Sequence, residues 1–259
     1  MPFSPEKVIE LTEAFDERTD KLRRIKGACV MEYRVTDGDK VREYLHHGVS
    51  RRFGILWYAI TNVFQDFPVA TTEKLDRDAL MRVQINLQAF FINAIGVFDN
   101  FAWCYIYLHK LEGRIGGPQN VDMFKSKMQA LLPPALKSYL TSAQTKNWYE
   151  DYFKAYRDAL AHRIPLYIPP YTYTPDEKDR AEELQTRRNK AIEDHDFALV
   201  DALGIEREGL GSPSFFFAQS FTEKPPLILH PQMLVDAETV VEFGNLFLEH
   251  WREGPQPAE

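Results

Sequence analysis

The sequence predicts an all-α fold: a helical bundle with a long central helix and a small C-terminal β-hairpin elaboration. Three observations carry this. Apolar residues recur at helical spacing through the first two-thirds of the 259-residue chain. Capping residues precede these runs, and proline or glycine follows them. The one stretch suited to strands comes late, where SFFFAQSF (214–221) and PLILH (226–230) flank a Thr-Glu-Lys-Pro turn.

The elements follow in order. Ser4 is a candidate N-cap, with Pro5 at the first helical position and Glu6 and Glu10 after it. This first helix is expected to reach about Lys26, with Val8, Leu11, Phe15 and Leu22 along one side. TDGD (36–39) is a turn signal, and a second helix runs from about Lys40 to Phe67, where Pro68 stops it. A third pattern extends from about Glu73 to Leu111. Its stripe is Leu87, Phe91, Ala94, Phe98, Phe101, Tyr105 and Leu108, with steps alternating between 4 and 3, the mark of a helix facing a bundle core. Gly116-Gly117-Pro118 ends that unit. A short helix from about Val121 to Leu132 follows, then another from about Pro134 to His162, broken near Gln144–Lys146.

The last third changes character. Residues 164–175 contain four prolines and three tyrosines and are expected to be extended and packed. A charged helix is expected from about Asp176 to Leu203, and after the hairpin a final helix from about Pro231 to Trp251, capped by His230-Pro231. No repeat and no linker divides the chain. It is read as a single domain, residues 1–259, with a helical core over about 40–165 and the elaboration over 166–255.

Composition bounds the function. Hydrophobic residues make up 44% and charged residues 27%, enough for a core and against wholesale disorder. Lys and Arg number 31 against 38 Asp and Glu, a net charge of −7, which argues against a broadly basic nucleic-acid scaffold. Cys29 and Cys104 form neither a CxxC nor a zinc pattern, so a reducing cytoplasm is expected and Cys104 reads as buried. The N-terminus lacks the basic and apolar regions of a secretory signal. Leu87–Leu108 is apolar but carries Gln88, Asn93, Asp99 and Asn100, so it reads as a buried helix and not a membrane span. GxSxG, P-loop and GxGxxG motifs are absent, so nothing supports hydrolase, NTPase or dinucleotide chemistry of those types.

The densest chemical constellation is Tyr156-Arg157-Asp158-Ala159-Leu160-Ala161-His162-Arg163. A guanidinium binds phosphate through a fork of N–H donors, and an imidazole moves protons near neutral pH. Asp158 and His162, four apart, are neighbours on a helix, so the carboxylate can orient the ring. Arg157 and His162 are five apart, about 140° around an ideal helix. They converge on one phosphate if the helix end distorts at Pro165, or if a twofold dimer brings two copies together.

The pattern Arg157-Asp158-x3-His162 resembles the Rx4–6H motif of the HEPN superfamily. The long helix carrying NAIGVFDNFAW (93–103) is similar to the helix that precedes the motif helix in that family. The resemblance covers roughly residues 40–165 and implies a compact bundle that dimerises around a shared cleft. It also implies RNA as partner and, in many members, endoribonuclease activity without metal or other cofactor, in toxin–antitoxin, CRISPR and other defence systems. Arg157 would bind phosphate, Asp158 would be the polar residue after it, and His162 would transfer protons. Other members only bind a nucleotide or a protein partner, and the long C-terminal part departs from a minimal domain.

Three further groups are candidates. Asn86, Asn93 and Asn100 share one stripe, with Asp99 beside it. A buried amide without a partner costs about 1–3 kcal/mol, so Asn93 and Asn100 should be bonded. Asn93, Asp99 and Asn100 are read as supports of Arg157 or His162, and helix register is the alternative. Tyr171 and Tyr173 are the better candidates to stack RNA bases; the aromatics before the motif are expected in the core. The basic clusters Lys21–Lys26, Arg51-Arg52 and Arg187-Arg188 read as solvated faces that can also contact phosphate. His46-His47, adjacent on a helix, do not form a ready metal pair.

Overall fold

The computed structural model describes residues 2–220 and 224–255. It is mostly helical (73%), with one small antiparallel sheet near the C-terminus. α1 (Pro5–Val35) is capped as expected, the Ser4 side chain accepting from the Lys7 N–H. It continues past Gly27, beyond the expected end near Lys26, because Ile25 and Cys29 carry the buried face of Leu11 and Leu22 onward. A single glycine costs a helix interior only about 1 kcal/mol, less than those side chains gain by burial.

α2 (Asp39–Glu43), a π-helical turn (Tyr44–Ser50) and α3 (Arg51–Asp66) run on as one rod up to Phe67. α4 (Arg77–Leu108) starts at the Asp76 cap and is the axis of the fold. Leu87, Phe91, Ala94, Phe98, Phe101 and Tyr105 of its stripe are buried. α4 is long and apolar enough to cross a membrane, with 72% of its most apolar window buried inside the bundle.

The connection that follows is less helical than expected. α5 (Glu112–Ile115), a 3-10 turn at Pro118–Asn120 and α6 (Ser126–Gln129) replace the helix expected over 121–132. α7 (Pro134–Thr141) ends at Ser142, which caps α8 (Ala143–Asn147) by accepting from the Thr145 N–H, so the break precedes the expected one. α8 passes through a π-helical turn (Trp148–Phe153) into α9 (Lys154–His162).

The charged helix divides in two. α10 (Pro175–Glu193) begins with a capping box between Thr174 and Glu177, and α11 (Phe197–Glu208) begins at the Asp196 cap. His195 between them has a φ of 59°, the left-handed turn that splits the run. β1 (Phe216–Phe217) pairs with β2 (Leu227–Ile228), and α12 (Leu229–His250) follows. The middle of the hairpin connection, residues 221–223, and the end of the tail, residues 256–259, lie outside the described residues.

Aromatic packing ties these parts to α4. Phe91 stacks on Phe153 at 4.8 Å, Phe98 on Phe243 at 4.6 Å, and Phe101 meets Phe247 at 4.2 Å. The buried cluster includes α1 and α12 and so reaches beyond residues 40–165. The Pro-rich segment packs as expected: Tyr167 bridges to Ala218 and Thr172 to Ser212. His230 lies within α12 and does not cap it. Fully buried among Phe64, Phe67 and Phe215, its Nε2 bonds the Phe67 carbonyl at 2.7 Å.

Candidate functional site

Arg157, Asp158 and His162 occupy the last two turns of α9, which Phe153 and Tyr156 anchor on α4 through Phe91. Residues of the hairpin cover the Tyr156 side of the helix. The Tyr156 ring meets Phe217 at 5.5 Å, and its hydroxyl donates to the Pro225 carbonyl at 3.3 Å. Arg157 is half-buried, its Nη1 pairs with Asp158 at 3.1 Å, and its Nε is buried without a hydrogen-bond partner. His162 is exposed at the end of the helix.

Asp158 does not take the orienting role toward His162. Its other oxygen pairs with Lys154 at 2.6 Å, and among the described residues no hydrogen bond joins it to the imidazole. Two cations one and four residues before it hold the carboxylate on their side of the helix. Asp158 is instead a partner of Arg157.

Asp99 does belong to the surroundings of Arg157. Burial pushes its carboxyl up to about 6, Asp122 raises it further, and the charges of Arg157, Arg52 and Lys125 pull it down. Asn93 and Asn100 do not. Both serve Arg52, a residue that sequence reasoning placed on a solvated face. Arg52 Nε donates to Asn100 Oδ1 at 2.7 Å and Nη1 to Asn93 Oδ1 at 3.1 Å. The expectation that these amides need partners holds; the partner is a different arginine. Asn86 has its own, accepting from Asn62 at 3.0 Å.

The Arg52 guanidinium lies across Gly96 of α4, where a Cβ would come within 2.2 Å of its Cζ. Gly48 opens the same space for Asn100, whose Cγ would be 2.9 Å from a Cβ there. Beside this cradle is a cavity of about 470 Å3, walled by Tyr44, His47, Arg51, Arg52, Asn93 and Asn100 among others. Arg157, Asp158 and His162 do not line it.

Tyr171 and Tyr173 are half-buried and pack on each other at 4.9 Å, with Lys74 over the Tyr171 ring at 5.3 Å. They lie against Lys74 and the Gly211 turn, and among the described residues no ring contact or side-chain hydrogen bond joins them to α9. Among the described residues no group of three His, Cys, Asp or Glu side chains could hold a metal ion. Cys29 and Cys104 are both buried free thiols, and burial pushes their pKa values up. No family model, curated protein or solved structure matches the chain.

Proposed function

We propose that the protein is a HEPN-like RNA-binding protein of the cytoplasm that cuts RNA at the end of α9. The observation that carries this reading is the exposed His162 imidazole, five residues past a half-buried Arg157 whose guanidinium Asp158 holds. Transesterification needs a group that moves protons and a fixed cation at the phosphate. The substrate's 2′-oxygen attacks the adjacent phosphorus and the bond to the 5′-oxygen breaks, leaving a 2′,3′-cyclic phosphate. His162 assists the proton transfer, and Arg157 stabilises the charge on the phosphoryl oxygens. In this reading the protein acts as a homodimer, the arrangement that could bring one copy's Arg157 to the other's His162. No metal or other cofactor takes part in this scheme.

The test is incubation of the purified protein with mixed single-stranded RNAs in excess EDTA, beside the His162→Ala variant. Cleavage by the wild type alone supports the reading. Equal cleavage by both removes His162 from the mechanism.

The second reading is a non-catalytic module that binds a nucleotide or a protein partner. It is favoured by the ion pair that occupies Arg157 and by the placing of the hollow at Arg52 instead. Stabilisation by nucleotides in a thermal-shift assay, without RNA cleavage, would select it.

A further inference from the structure

Arg52 is a preformed cation with no carboxylate in ion-pair contact among the described residues; Asp99 acts on it through its charge alone. Its Nε and Nη1 are held by two neutral amide oxygens, and among the described residues it makes no ion pair. Nη2 has no hydrogen-bond partner among the described residues. Two glycines allow the arrangement. Gly96 gives the guanidinium its seat, and Gly48 lets Asn100 approach it. A guanidinium fixed in orientation has already lost the side-chain freedom that an anion would otherwise have to freeze. The exposed Arg51 stands on the same wall, His47 is close by, and Glu43 is the one carboxylate there.

The cavity does not end at Arg52. A second hollow, of about 520 Å3, shares Arg51 and Ile55 with it and is walled mainly by apolar groups, among them Tyr58, Ala59 and Ala89. His46 lines this half with its ring stacked on Tyr33 at 4.6 Å, and its Nδ1 is buried without a partner. The two hollows adjoin at Arg51 and Ile55, the first anion-binding, the second mainly apolar with Lys26 in its wall and an unanswered ring nitrogen. An inorganic anion would leave the apolar half empty, and an uncharged aromatic would leave Arg52 unanswered.

We propose that these adjoining hollows, set along α3 beside α1 and α4, together bind a nucleoside monophosphate, its phosphate on Arg52 and Arg51 and its base against Ile55 and Tyr58. The site is separate from Arg157 and His162, and it stands whether or not those residues cut RNA.

Titration calorimetry of the full-length protein with the four 5′-nucleoside monophosphates, adenosine and inorganic phosphate tests it. The expected result is binding of at least one monophosphate, ten or more times tighter than either adenosine or phosphate alone. Arg52→Gln should weaken that binding at least tenfold. Ile55→Glu changes an exposed residue, so the fold should persist, and the added carboxylate should weaken binding by a similar factor. His162→Ala should bind as the wild type does, which separates a failure here from a failure of the cleavage reading. The proposal is overturned if no monophosphate binds at millimolar concentration, if adenosine or phosphate binds as tightly as the best monophosphate, or if a folded Ile55→Glu variant binds unchanged.

Discussion

The guanidinium of Arg52 sits where a side chain on Gly96 would otherwise be, 2.2 Å from the position of a Cβ. This contact fixes how α3 meets α4, and it makes Gly96→Ala a sharp probe. Alanine favours the helix by up to about 1 kcal/mol over glycine. The displaced guanidinium, though, gives up its bonds to Asn93 and Asn100, and hydrogen bonds to a charged group are worth about 1.5–3 kcal/mol each. Two such bonds outweigh that gain, and Gly96→Ala should destabilise by about 2–5 kcal/mol in urea unfolding. A variant more stable than the wild type would mean that Arg52 moves aside at no cost.

Asp236 of α12 is the buried hub beneath α8 and α9. It accepts from Trp148 Nε1 at 2.9 Å, Tyr152 Oη at 2.6 Å and Gln232 Nε2 at 3.1 Å. Removing it strands three partly buried donors, so Asp236→Ala should cost about 2–4 kcal/mol by chemical denaturation. A loss below half a kcal/mol would show that water replaces the carboxylate.

The same carboxyl makes stability depend on pH. Burial pushes Asp236 up to about 7, although its three donors pull the other way. A folded pKa above the unfolded one gives a contribution complete below about pH 4 and lost as pH rises through 7. Asp99, raised to about 6, adds a loss of the same sign. Stability should thus fall as pH rises from about 4 to 7, and Asp236→Asn should flatten that fall. An equally steep fall in the variant would remove Asp236 as its source.

His230 acts in the opposite sense. Burial lowers its imidazole to about 4, despite the bond to the Phe67 carbonyl. Its contribution is complete above the ordinary histidine value, about 6.5, and is lost as pH falls from there through 4. Acid unfolding of His230→Gln should be shallower over that window, measured by circular dichroism. Unchanged acid sensitivity would place the responsible group elsewhere.

Much of the architecture was written in local pattern. The 4-3 spacing from Leu87 to Tyr105 marked the face of α4 that is buried, and Ser4-Pro5 marked the start of α1. Boundaries that depend on a single residue were harder to read. Ser142 ends α7 and caps α8 in extended backbone, and the turn at His195 comes from a backbone choice that no periodicity records. The candidate site divides in the same way. That Asn93 and Asn100 require partners follows from burial alone. That the partner is Arg52 follows from how α3 crosses α4, which depends on two glycines in different segments meeting two side chains. Asp158 looked available to His162 because spacing shows who can meet. Lys154, equally spaced on the other side, and the adjacent Arg157 hold the carboxylate instead.

Single-turnover cleavage of a defined RNA, with ribose or 2′-deoxyribose at the scissile nucleotide and EDTA in excess, tests the central claim most directly. The account predicts that the ribose substrate yields a 2′,3′-cyclic phosphate end, that the 2′-deoxy substrate stays intact, and that His162→Ala cleaves neither. Cleavage of the 2′-deoxy substrate, or of the ribose substrate by His162→Ala at the wild-type rate, would contradict it.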